Sequence, residues 1–419
     1  MANVTQTEQD RSRPIILWAI VGLAVLVRLT IALLMGDQVV VLPGIHDQVS
    51  YNALALRLLS GHGYSFDAAW YPFTPANTPT AHWSFAYPLY LAGVYGVFGA
   101  HPLAARLIQA ALVGVATCLL MYSLARRVFG VRVGLVAAGI AAVYTYFIYY
   151  SAALMTESFF MVAALAALEM AYRLVEKPSV ARAAALGLSM GLAVLLRQAI
   201  LLFIPVLLAW LWWEGRRRLR WYHYLVPLAV IALLIAPWTI RNYRAYGRFL
   251  LLNSNAGYAF YSSNNPALGV KWSTENSVAP VPADLQGRNE AEMDSALMRR
   301  GIGFILADLG RYTLLTLNRT REYFKFWPSR DSSLISNLQR PLSFGLLLPL
   351  TLYGIFLARH RLRRWALPLL FFAVTAATYL LSWPTARYRV PTDACLIPLA
   401  ALALLDLYDR LIRRRGNMS

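Results

Sequence analysis

"YHYLVPLAVIALLIAPWTIRNYRAYG", residues Tyr222 to Gly247, decides how the whole chain is read. From His223 to Ile240 it is apolar over nearly the length a bilayer crossing needs, roughly 20 residues. Only a helix can satisfy all the backbone groups of a single segment in hydrocarbon. The basic cluster "RRRLR", Arg216 to Arg220, stands before it, and Arg241 and Arg244 are expected just past its end. Positive residues collect in the cytoplasmic loops of membrane proteins. One of these two groups therefore sits where arginine is normally scarce and needs a reason to be there.

The rest of the chain repeats the pattern. Of its 419 residues 58% are hydrophobic and 14% charged, against about 25% charged in ordinary globular proteins. Mean hydropathy is +0.50. The net charge of +19 would suggest nucleic acid in a soluble protein, but here the arginines lie in short clusters between apolar runs, so no nucleic-acid partner is expected. The composition and pattern indicate an all-α polytopic membrane protein. About ten spans are expected, at 15–35, 103–125, 133–151, 157–173, 181–197, 199–213, 223–240, 342–358, 366–383 and 391–408.

Arg11 and Arg13 place the N-terminus in the cytoplasm. Every second loop then carries a basic cluster, including "RHRLRR" at Arg359–Arg364 and "RLIRRR" at Arg410–Arg415. Both termini are predicted to be cytoplasmic. The chain reads as one transmembrane domain over 1–419. Its two long outer segments, 36–102 and 241–341, are expected to carry amphipathic helices on the membrane surface. Cys118 and Cys395 fall within apolar stretches, where no disulfide is expected. "GLSMG", Gly187 to Gly191, reads as a close helix-packing motif.

With this threading the outer side acquires arginines of its own: Arg197 in "LLRQA", Arg241, Arg244, and Arg387 and Arg389 flanking Tyr388 in "ARYRV". Arg28 lies within the first span and Arg106 near the start of the second. A charge at the bilayer centre costs about 2.5–3.5 kcal/mol on insertion scales, so such residues normally face a cavity or a partner. Taken singly, each is also accounted for by snorkelling to headgroups. As a set drawn from several loops, they suit a phosphate, which guanidinium groups bind in bidentate fashion.

Two acids share that side. Asp47 opens "HDQVSYNALALRLLSGHGY", a predicted helix of about three turns ending near Gly61 or Gly63, where it either caps the helix or serves as a general base. Glu157, in "MTESFF", begins the fourth span, with Thr156 as the expected cap. His46, His62 and His82 share the first loop without a ligand spacing such as H-x-x-x-H, so no metal set is assigned and a divalent ion is left open. There is no G-x-x-x-x-G-K-[ST] phosphate loop.

These stretches, together with "YPLYLAGVYGVFGAHPLAARLIQA" and "PWTIRNYRAYGRFLLLNSNAGYAFYSSNNP", resemble the superfamily C polytopic glycosyltransferases. The resemblance is to the branch of protein O-mannosyltransferases and lipid A aminoarabinose transferases. It implies a hexosyl- or pentosyltransferase in the plasma membrane, working on the extracytoplasmic face. The implied donor is a polyprenyl-phosphate-linked sugar; the acceptor is a protein, lipid or glycan hydroxyl, reached among membrane lipids. By position Asp47 and Glu157 match the family's acids. Arg197, Arg241, Arg244, Arg387, Tyr388 and Arg389 are the candidates for the donor phosphate, with Arg28, Arg106, His46 and His82 as support. Gln48 follows Asp47 where protein O-mannosyltransferases often carry an Asp-Glu pair. The alternative class is a transporter or flippase of a polyprenyl-linked lipid, which would want polar residues through the midplane.

Overall fold

The computed structural model describes residues 2–416 except 71, 73, 273–277 and 331. Among the described residues the chain is helical, with extended pairing confined to isolated bridges such as Leu42–Ile45. Six helices are long and apolar enough to cross a membrane: Arg13–Met35, Pro102–Phe129, Glu157–Glu176, Gln198–Gly215, Tyr222–Tyr246 and Leu334–Ala358. Two bent pairs raise the number to eight if each is one span: Val131–Val143 with Thr145–Ala152, and Ala386–Asp393 with Ile397–Arg413. The other two expected spans fall on the 17-residue helix Val180–Leu196 and the 15-residue helix Ala366–Leu380. Length and apolarity alone therefore support six to eight crossings, and ten only if these shorter helices also cross.

The helix that began the reading runs further than expected. It continues through Pro237 to Tyr246 and ends at Gly247, whose φ of +65° is the left-handed conformation that closes many helices. Arg241 and Arg244 thus lie inside its last two turns. The "GLSMG" motif packs against this helix. A Cβ on Gly187 would come within 2.8 Å of the Pro227 backbone, and one on Gly191 within 2.5 Å of Leu234. Small residues there let the two backbones approach.

The third span is broken, and the ends of its two helices explain two arginines. Helix Val131–Val143 ends at Tyr144 in an extended conformation before Thr145–Ala152 resumes at 53° to it. A break strands the carbonyls of the last turn, and in hydrocarbon they must find donors. Arg28 donates from Nη1 to Ala142 O and from Nη2 to Ala141 O, both at 2.9 Å. At the far end Arg106 donates to Ala152 O at 2.8 Å, and Gln109 to Ala153 O at 2.7 Å. Arg28 and Arg106 are fully buried. Their guanidinium groups cap the two helices of a bent span.

Candidate active site

Asp47 is delivered by a tight turn. Leu42 and Ile45 exchange both backbone hydrogen bonds around Pro43–Gly44, with Gly44 at φ +71°. A Cβ on Gly44 would also lie 2.9 Å from the Tyr150 hydroxyl, and Tyr149 donates to Pro43 O at 3.0 Å. The turn is therefore clamped against the broken span, and only glycine fits its second position without strain.

Helix Asp47–Leu59 follows, running for 13 residues before Gly61 at φ +77°. Its N-cap position is His46, with no side-chain cap. Asp47 is not the cap, because its carboxylate points elsewhere. Buried Gln48 anchors the helix start, donating to Val40 O and accepting from Arg106 at 3.3 Å. A glutamate in its place could accept but not donate, a physical reason for an amide after Asp47.

Four charged side chains converge. Arg387 Nη2 lies 3.0 Å from Asp47 Oδ2, while its Nε lies 3.1 Å from Glu157 Oε1. The same Glu157 oxygen pairs with Arg197 Nη2 at 2.5 Å. Glu157 is 1% exposed and Asp47 18%, so the first is sealed while the second remains in reach of a substrate. Thr156 makes no cap; its hydroxyl donates weakly to Glu157 at 3.5 Å. Tyr388 stacks on Tyr379 with centroids 4.5 Å apart, and Arg197 lies 4.7 Å from the Tyr388 ring. Arg197 also donates to the Tyr379 hydroxyl at 3.3 Å. Burial pushes the Tyr51 phenol up, and Asp47 and Glu157 add to the shift, so it stays protonated at neutral pH.

With both carboxylates ionised this cluster is electroneutral. Among the described residues no three His, Cys, Asp or Glu side chains gather to hold a metal ion; the group between the two carboxylates is the Arg387 guanidinium.

Several expected members lie elsewhere. Residues two apart on a helix do not share a face, and Arg389 accordingly points away from Arg387. It is fully buried, paired with Asp393 at 3.0 Å and donating to Tyr323 O at 2.5 Å, with Phe344 under its guanidinium at 3.6 Å. Arg241 donates to Thr80 O at 2.7 Å and to Tyr64 O at 3.1 Å, over Trp238 at 4.6 Å. It ties the first long loop to the Tyr222–Tyr246 helix and makes no contact with the cluster. Arg244 and His46 are exposed and make no side-chain hydrogen bond among the described residues. His82 packs edge-on to Trp83, and burial lowers its pKa.

Two features were missed in the sequence. Tyr51 was legible, one turn after Asp47 and hence on the same face. Glu290 was not: it is 4% exposed and accepts from Thr74 Oγ1 (2.6 Å), Ala81 N (2.7 Å), Ser254 Oγ (2.6 Å) and Tyr246 Oη (3.3 Å). Nothing in "GRNEAEMD" marks a residue that binds three distant segments together.

A family model described as dolichyl-phosphate-mannose-protein mannosyltransferase matches residues 82–240. That stretch holds Glu157 and Arg197, with Asp47 and Arg387 outside it. No curated protein sequence matches the chain. The fold is shared with the archaeal oligosaccharyltransferase AglB from Archaeoglobus fulgidus. Its complex with an inhibitory peptide and a dolichol-phosphate superposes with a TM-score of 0.59 at 18% identity, covering 96% of this chain and 52% of that one. Its apo form gives 0.58 at 18% over the same shares. ArnT from Cupriavidus metallidurans bound to undecaprenyl phosphate matches with a TM-score of 0.40 at 15% identity, over 92% of this chain and 77% of that one. The chain spans about half the length of the oligosaccharyltransferase. The family match and the shared fold bear out the superfamily C resemblance, including the all-helical membrane architecture.

Proposed function

We propose that this chain is a membrane glycosyltransferase moving a sugar from a polyprenyl-phosphate-linked donor to an acceptor hydroxyl by one inverting displacement. The observation that carries the reading is the sharing of Arg387 between a sealed carboxylate, Glu157, and an accessible one, Asp47. The basic loops favour cytoplasmic termini and an extracytoplasmic site.

In the reaction Asp47 takes the acceptor proton as that oxygen attacks the anomeric carbon. The bond from that carbon to the phosphate oxygen breaks, and its electron pair goes to the phosphate. The phosphate passes from a singly charged diester to a monoester tending toward two charges. Arg387 and Arg197 would face that developing charge, and fixed donors of this kind lower the barrier. Charge is balanced through the step: the cluster begins neutral and ends with one positive charge, because Asp47 is protonated as the phosphate gains its second negative charge. Glu157 touches no substrate. It holds both arginines in place.

Donor phosphate would compete with Asp47 for Arg387. Losing that guanidinium leaves the Asp47 carboxylate free to accept from the acceptor hydroxyl, so donor binding itself readies the proton acceptor. The test is transfer from a labelled polyprenyl-phosphate sugar by membranes containing Asp47→Asn. Transfer at the wild-type rate would remove Asp47 from the role.

A further inference from the structure

The end of the bundle opposite Asp47 carries a second constellation that plays no part in transfer. Glu157 opens and Glu176 closes one helix of 20 residues, so their ends lie about 28 Å apart at ~1.5 Å per residue. Beside Glu176 two adjoining cavities, of about 510 and 500 Å³, share Trp210, Glu214 and Arg363. One is an apolar trough between helices Ile204–Gly215 and Ala366–Leu380, floored by Val206, Ala209 and Leu370. It runs from Pro205 to Glu214, about 14 Å by helical rise, close to one leaflet of a ~30 Å hydrocarbon core.

The other cavity is lined by Val128, Val175 and Trp210 together with the charged side chains of the rim. Arg127 and Arg173 are neutralised there by Glu169, at 2.7 and 2.6 Å, and by Glu176. Arg363, 74% exposed, makes only a 3.3 Å pair with Glu214. The exposed Arg364 guanidinium has no hydrogen bond or ion pair among the described residues, although its carbonyl accepts from Tyr172 at 2.7 Å. The rim thus keeps a surplus positive charge at the mouth of a trough one leaflet deep. Exposed Trp212 and Trp213 lie alongside, suited to the interface.

We infer that this groove binds an anionic phospholipid, its phosphate on Arg363 and Arg364 and one acyl chain in the Val206–Ala209–Leu370 trough. The charge suits a headgroup phosphate, as basic pockets between membrane helices do. The apolar trough would offer nothing to a free anion.

The test is thermal unfolding of the full chain in micelles containing phosphatidylglycerol or phosphatidylcholine. Phosphatidylglycerol should raise Tm by several degrees over phosphatidylcholine. Combined Arg363→Ala and Arg364→Ala should erase that difference. Ala209→Phe, a surface change that fills the trough, should erase it too, with Tm in phosphatidylcholine unchanged. Equal Tm in the two lipids, or a difference that survives both variants, would overturn the assignment, as would an equal rise with inorganic phosphate alone. The readout involves no sugar transfer, so its outcome is separate from that of the proposed reaction.

Discussion

Glu157 and Glu290 are almost equally buried, 1% and 4% exposed, yet they sit in different kinds of surroundings. Glu290 is surrounded by neutral donors: two hydroxyls, a phenol and a backbone amide taken from separate segments. Glu157 is held by two guanidinium groups, one of which also reaches a second, accessible carboxylate. The arginines divide in the same way. Arg28, Arg106 and Arg241 donate to backbone carbonyls and fasten the architecture. Arg197 and Arg387 face carboxylates, and a phosphate can displace a carboxylate as it cannot displace a carbonyl buried in a helix turn. Depth in the structure does not separate function from scaffold here. The exchangeability of the partner does.

Substitutions can break or sharpen that contrast. The largest effect is expected for Asp47→Asn, a loss of about 10²–10⁴-fold in transfer, the usual contribution of a general base, with unfolding little changed. Glu157→Gln should cost about 3–5 kcal/mol of stability in a denaturant titration, since Arg197 then faces a neutral amide and Arg387 keeps only Asp47. If Glu157→Gln unfolds like the wild type, the cluster is not the tight ionic unit described. Arg241→Ala and Glu290→Gln should each cost about 1–3 kcal/mol, the price of orphaned hydrogen-bond partners, while transfer per folded molecule and donor affinity stay at wild-type values. A drop in donor affinity for Arg241→Ala would move that residue back among the phosphate ligands.

The smallest effect concerns a third acid with neither kind of support. Asp294 accepts one amide, from Gly257 at 2.5 Å, and burial pushes its pKa up to about 6. Its folded pKa lies above its unfolded value of 3.8, so the folded state binds the extra proton and stability falls as pH rises from about 4 to 6. Asp294→Asn should flatten the pH dependence of Tm in that window and leave it unchanged above. A wild-type slope in the variant would contradict the assignment.

What the sequence disclosed follows the same division. Helices, basic loops and the packing glycines follow from periodicity and composition, which are local. Asp47 and Glu157 stood out because each opens a helix on the same expected side. Arg387 was legible as a candidate, whereas Arg389 was misplaced because helical rotation sends alternate residues to opposite faces. Arg241 misled for a different reason. Its helix continues through Pro237, and its partners at Tyr64 and Thr80 are more than 150 residues distant in the chain. The break at Tyr144, which accounts for Arg28, carries no proline or glycine to announce it. Glu290 depends wholly on long-range contacts.

The most direct test is equilibrium binding of polyprenyl phosphate to Asp47→Asn beside its transfer rate. Removing the carboxylate leaves Arg387 paired with Glu157 alone and the cluster with one positive charge, so the lipid phosphate should bind more tightly than to wild type while transfer falls at least about 100-fold. Weaker binding of the lipid phosphate, or turnover near wild type, would contradict the shared guanidinium on which this reading rests.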